Sequence, residues 1–119
     1  MHNIHLPHNH GHNSQKIANS QPDIEDFQTA SAMFKLLGDA SRIRIFWILC
    51  HCEECVINIS AMVGMSSPAV SHHLKLLKAS GLITSRRKGK EVYYSAAKTK
   101  NSQALHKMLE ELLEIACPD

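Results

Sequence analysis

The sequence predicts a mainly α fold carrying one small β-hairpin, and three observations lead there. Two short, well-punctuated helical segments meet at Gly64-Met65. Two β-rich tetrads, Leu82-Ile83-Thr84-Ser85 and Glu91-Val92-Tyr93-Tyr94, flank the basic turn Arg87-Lys88-Gly89-Lys90. Of the 119 residues 44% are hydrophobic but only 5% aromatic, so the core must be aliphatic, which favours packed helices. A domain this small buries a modest share of its apolar surface alone and leaves room for a partner subunit.

The chain divides after residue 21. Residues 1–21 hold five His, four Asn, one Pro, one Gly and no acid, without apolar periodicity, and are expected to be a disordered His-rich tail. Residues 22–119 are the folded domain. Pro22 and Asp23 open a helix predicted over 24–37, whose Ile24, Phe27, Ala30, Phe34 and Leu37 share a face and which Gly38 stops. Asp39 caps a second helix over about 40–50. Its Ile43, Phe46, Trp47, Ile48 and Leu49 leave little polar surface, so it belongs at the centre.

Asn58 is the expected N-cap of a short third helix over 59–63, ended by Gly64. Ser66 caps the fourth, and Pro68 sits just inside its start, where a missing N–H costs little. Val70, Leu74 and Leu77 form its buried stripe, and Gly81 closes it. Two short helices so joined read as a helix-turn-helix, and the hairpin after them as a wing. A last helix over about 102–116 carries Leu105, Leu109, Leu112 and Ala116 with Met108 and Ile115 beside them. That apolar face is wide for a terminal helix, and together with the first helix it reads as a homodimer interface.

Charge supports a surface for double-stranded DNA through its distribution. The net formal charge is only +2, but from Lys75 to Lys100 there are eight Lys or Arg against one acid, Glu91. With the apolar stripe turned inward, Ser67, Ser71, His72, Lys75 and Lys78 fall mostly on the outer side of the fourth helix, and Ser66, Ser67 and Ser71 lie near its N-terminal end. Hydroxyls and N–H groups at its start suit phosphate or base-edge contacts, and His72 and Lys75 suit major-groove acceptors. Arg86, Arg87, Lys88 and Lys90 are expected to meet phosphates from the wing. His73 lies beside the buried stripe and is expected to be structural. No Gly-rich phosphate loop or oriented catalytic group argues for an enzyme. No apolar run approaches the ~20 residues that span a bilayer, and the N-terminus has no apolar signal core, so the expected location is the cytoplasm.

The motifs carrying this organisation resemble a known family. They are Leu36-Leu37-Gly38-Asp39-Ala40-Ser41-Arg42-Ile43-Arg44-Ile45, Glu54-Cys55-Val56, Ser66-Ser67-Pro68-Ala69-Val70-Ser71-His72-His73-Leu74-Lys75 and Gly89-Lys90-Glu91-Val92-Tyr93-Tyr94. In order and spacing over residues 24–116 they are similar to the ArsR/SmtB family of metal-responsive repressors. The resemblance implies four helices, two strands and a fifth helix, in a winged helix-turn-helix. It further implies a homodimer through the first and last helices that represses from an imperfect palindromic operator until an inducer releases it.

The family's inducer positions match unevenly. Cys55 occupies the Cys position at the start of the third helix, but Ile57 and Asn58 stand where relatives carry a second Cys or an acid. The four ligand positions of the family's last-helix site read Lys98, Lys100, Glu111 and Glu114, which makes that site an unsuitable one. What remains is Cys50, His51, Cys52 and Cys55 with the tail histidines His2, His5, His8, His10 and His12. Thiolates and imidazoles suit zinc, nickel, cobalt or another thiophilic ion. In family members with a site at the third helix, tail ligands complete it across the dimer. Other readings stand beside this one: a thiol redox or persulfide switch through Cys52–Cys55 or Cys55–Cys117, a repressor without a small inducer, and a metal-storage protein.

Overall fold

The computed structural model describes residues 4–114, with the backbone alone at His12. It divides into two compact units, one up to Phe34 and one from Lys35 onward. The first contains α1 (His12–Ser20) and most of α2 (Ile24–Leu36). The second contains α3 (Ala40–His51), β1 (Glu54–Cys55), α4 (Val56–Val63), α5 (Ser67–Ala79), β2 (Ile83–Lys88), β3 (Glu91–Ala96) and α6 (Lys100–Leu113). No described helix is long and apolar enough to cross a membrane.

Local chemistry sets the helix boundaries. Asp39 caps α3 by accepting from the Arg42 N–H at 3.0 Å, and Ser66 Oγ caps α5 by accepting from the Ala69 N–H at 3.3 Å. Between α4 and α5, Gly64 takes a left-handed φ of 69°, and its N–H donates to the Ser60 carbonyl. A β-carbon is disfavoured in that conformation, so glycine makes the tight turn inexpensive. The hairpin closes with the two-residue turn Gly89-Lys90 between the facing pair Lys88 and Glu91. Of those two turn residues only Gly89 has positive φ, the pattern of a type II′ turn.

The core of the second unit is aliphatic with one large aromatic. Ile45, Phe46 and Leu49 of α3 meet Ile59 of α4 and Val70, Leu74 and Leu77 of α5, with Leu82 and Ile83 of the β2 edge; all are buried. Leu105 and Leu109 of α6, spaced by four, are also buried. Burying such a side chain stabilises by roughly 1.5–3 kcal/mol before conformational entropy is counted. Ser102, at the head of the same α6 face, is buried because its hydroxyl donates to the Leu82 carbonyl at 3.1 Å.

The mainly α winged helix-turn-helix is the architecture the sequence predicts, and the departures are local. The segment expected to be a disordered tail contains α1, where Asn19 Oδ1 accepts from the Ile4 N–H and Gln15 Nε2 donates to the Ile4 carbonyl. The third of the expected helices starts at Val56 rather than residue 59. Asn58 lies inside its first turn, its side-chain amide donating to Glu54 Oε1 at 2.8 Å, and Cys55 occupies the N-cap. A third strand, β1, pairs with β3 through Glu54–Tyr94 and Cys55–Tyr93, giving the order β1-β3-β2. The last helix begins at Lys100 under a Thr99 cap and is described to Leu113. Ile115, Ala116 and Cys117 lie outside the described residues, as does His2.

Candidate nucleic-acid interface

The buried stripe of α5 decides what its other side presents. Val70, His73, Leu74 and Leu77 face the core, and Ser66, Ser67, Ser71, His72 and Lys75 are all exposed. The three serines cluster at the N-terminal end, where the unpaired N–H groups and the positive end of the helix dipole attract anions. Ser67 Oγ lies 3.2 Å from Ser60 Oγ of α4, which ties the two helices of the motif at their open edge. Lys78 is exposed too, but donates to Ser85 Oγ of β2 at 2.6 Å, joining the helix to the wing.

The wing holds its cations at the hairpin tip. Arg87, Lys88 and Lys90 are exposed, and Lys88 Nζ lies 6.0 Å from the centre of the Tyr93 ring. Arg86 behaves differently from its neighbours. It forms a bidentate pair with Glu53, both contacts at 2.6 Å. That hydrogen-bonded guanidinium holds the Glu53 carboxyl below its ordinary range. Arg86 therefore anchors the wing to the loop after α3.

His73 is the structural residue the sequence suggests, and it connects α3 to the reading helix. Arg42 Nε donates to His73 Nδ1 at 3.3 Å, while Arg42 Nη1 donates to the Leu36 carbonyl at 2.6 Å. Nδ1 can accept only when it carries no proton, so the bond requires neutral imidazole. Burial first, then the cationic Arg42 and nearby His72, push its pKa down, with Asp39 opposing. A histidine whose folded pKa is depressed stabilises fully above its unfolded value near 6.5, and that stability is lost as pH falls through the folded value. Urea denaturation of the wild type should thus show a loss of stability below about pH 6.5 that His73→Gln largely removes. Parallel acid profiles for the two proteins would mean that the imidazole carries no such linkage.

The donor atoms named for a metal are distributed unevenly. Cys52 is exposed and its thiol donates to the Ile48 carbonyl, while Cys50 and Cys55 are half-buried. Partial shielding of that thiol from water, with Glu54 adding, raises the Cys52 pKa. His8 and His10 stack on each other in the first unit, ring centres 5.6 Å apart; the His12 side chain lies outside the described atoms. Among the described residues the only group of three donors within 4.8 Å joins none of these cysteines. It is His51 with His106 and Glu110. His51 ends α3, and His106 and Glu110 stand one turn apart on α6. The Nε2 atoms of His51 and His106 are 3.2 Å apart, and Glu110 Oε1 lies 3.3 Å from the first and 2.8 Å from the second. The i, i+4 spacing of His106 and Glu110 was legible in the sequence; their meeting with His51, fifty-five positions away, is a product of the fold.

Comparison with known proteins agrees with this geometry. The pattern of "bacterial regulatory protein, arsR family" matches residues 39–85, which contain the helix-turn-helix and the first strand residues of the wing. A transcriptional repressor SmtB homolog from Synechocystis is 36% identical over 86 residues, covering 70% of this chain and 65% of that protein. The cadmium resistance transcriptional regulatory protein CadC of Listeria innocua is 37% identical over 82 residues, covering 66% of this chain and 69% of its own length. Among solved structures, a homodimeric winged helix-turn-helix DNA-binding domain from Mycobacterium bovis superposes with a TM-score of 0.67. It is 26% identical and covers 80% of this chain and 89% of its own.

Proposed function

The chain belongs to the arsR family of bacterial regulatory proteins, and from that premise we propose that it is a sequence-specific transcriptional repressor. It binds a palindromic operator as a homodimer and is released by a metal ion. The observation that carries the reading is the exposed, serine-capped end of α5 standing beside a hairpin tipped with Arg87, Lys88 and Lys90. Ser66, Ser67 and Ser71 position the helix on phosphates, His72 and Lys75 reach base edges, and the wing clasps the backbone. The winged helix-turn-helix order supplies the groove-entering element and its flanking support together.

Dimerisation is supported by apolar surface that a lone chain leaves in water. On α2, Ile24, Phe27 and Phe34 are exposed, and on α6 Met108, Leu112 and Leu113 are exposed. Side chains of this size cluster at interfaces more than on free surfaces. The Mycobacterium bovis domain is a homodimer, which supports the same assembly here.

The test is selection of duplexes from a random pool by the apo protein, followed by titration of the winning sequence. A palindrome with half-sites about one helical turn apart is expected. On that site His72→Ala should relax sequence preference by on the order of 1–3 kcal/mol at one position. Equal weakening on all sequences would instead assign His72 to phosphate. A monomer indifferent to duplex DNA at low ionic strength would end the proposal.

A further inference from the structure

We propose that His51, His106 and Glu110 form a binding site for a divalent ion of the zinc, cobalt or nickel class, which fastens the end of α3 to α6. Bonds of 2.0–2.2 Å arranged as a tetrahedron place neighbouring ligand atoms about 3.3–3.6 Å apart. The contacts here are 3.2, 3.3 and 2.8 Å, so two edges lie at the short end of that range and the third is about half an ångström below it. Two imidazoles and one carboxylate are a ligand set zinc takes when a further position stays open. The side chains are largely shielded, at 13% exposure for His51, 16% for Glu110 and 27% for His106. A groove of about 340 Å³ lined by Cys50, Cys52 and Gln103 reaches one of the three, His106.

Hydrogen bonding alone satisfies this triangle poorly. With Glu110 ionised, its oxygen only accepts, and each neutral ring nitrogen either donates or accepts. If both rings donate to Glu110, two N–H groups oppose each other across 3.2 Å. If either ring accepts, its lone pair faces the carboxylate oxygen. Every neutral arrangement leaves one edge like against like, and a cation at the centre turns all three lone pairs to use. The site does not coincide with Cys55 or with the last-helix positions Lys98, Lys100, Glu111 and Glu114 that the family resemblance marks.

Its regulatory meaning rests on the repressor reading. α3 is joined to the reading helix through Arg42 and His73, and α6 carries part of the apolar surface assigned to the dimer. An ion bridging α3 to α6 ties the DNA-contacting half to the dimer helix and favours one spacing of the two reading heads. Trp47, the single tryptophan, packs against His51 with ring centres 4.5 Å apart, so it reports on the site.

The experiment titrates the full apo chain with Co²⁺ and with Zn²⁺, following Trp47 fluorescence and cobalt absorption. Expected are quenching by Co²⁺, d–d bands without a thiolate charge-transfer band, and unchanged behaviour in Cys55→Ser. Glu110→Gln and His106→Gln should each weaken binding by more than about 100-fold, beyond the 10–100-fold of outer-sphere changes. X-ray absorption of the zinc-loaded wild type, which needs no variant to fold, should show nitrogen and oxygen neighbours only. Sulfur neighbours, or affinities untouched by both variants, overturn the site. Zn²⁺ should also weaken operator binding by the wild type at least fivefold, but not by Glu110→Gln. An operator affinity indifferent to bound zinc overturns the regulatory link while the site stands. Apo protein that ignores DNA overturns the repressor reading and leaves the metal result to decide the site.

Discussion

Replacing Phe46 with alanine is expected to remove about 3–5 kcal/mol of folding stability, the range for truncating a fully buried phenylalanine. The ring has no exposed surface and belongs to the core that Ile45, Leu49, Ile59, Val70, Leu74, Leu77 and Leu82 share, all of them almost fully buried. Neighbours drawn from three helices cannot all close on the vacated volume, so the cavity persists and its lining loses dispersion contacts. Small domains hold only about 5–15 kcal/mol in total, so the variant should unfold at far lower urea. With slopes of about 1–3 kcal/mol per molar, the midpoint should move by more than 1 M. Ile45→Val, one helix position away and equally buried, should cost only about 0.5–1.5 kcal/mol. If the two substitutions weaken the protein equally, Phe46 is not at the centre of the packing. Because α3 also bears Arg42 and His51, the same loss should loosen both the reading helix and the histidine–glutamate cluster.

That core was readable because its signals are local. Asp39, Gly64, Ser66, Pro68 and Gly81 each constrain the backbone within a turn of themselves, and Val70, Leu74 and Leu77 repeat at helical spacing on an unambiguous stripe. What the sequence hid was non-local. A two-residue strand has no period, so β1 appears only through its pairing with Tyr93 and Tyr94. Asn58 looked like a cap because its residue type favours that place, yet Glu54, four residues earlier, engages its amide. Arg86 looked like one more phosphate contact until Glu53, thirty-three positions away, claimed it. The polar α1 is held by side-chain bonds to Ile4 rather than by an apolar face. His106 and Glu110 are likewise ordinary residues for a helix surface until the fold sets His51 against them.

Removing Lys88 and Lys90 together should weaken binding to every duplex and flatten its dependence on salt. Each phosphate contact made by a cation releases condensed counterions, so the logarithm of affinity falls with the logarithm of salt by about 0.9 per contact. A dimer lacking both lysines loses up to four contacts, and the slope should fall by on the order of three to four units. The change is expected to be uniform across sequences because phosphates carry no base identity. Arg86→Ala provides the contrast. Its guanidinium is engaged by Glu53, so its removal should alter the slope much less while freeing the loop after α3 from the wing. Folding is a minor concern for the double variant, since both lysines are exposed beside a turn made by Gly89. If the slope is unchanged, the hairpin tip lies off the backbone. If the loss depends on sequence, a wing side chain reads a base, and recognition is then shared between α5 and the hairpin.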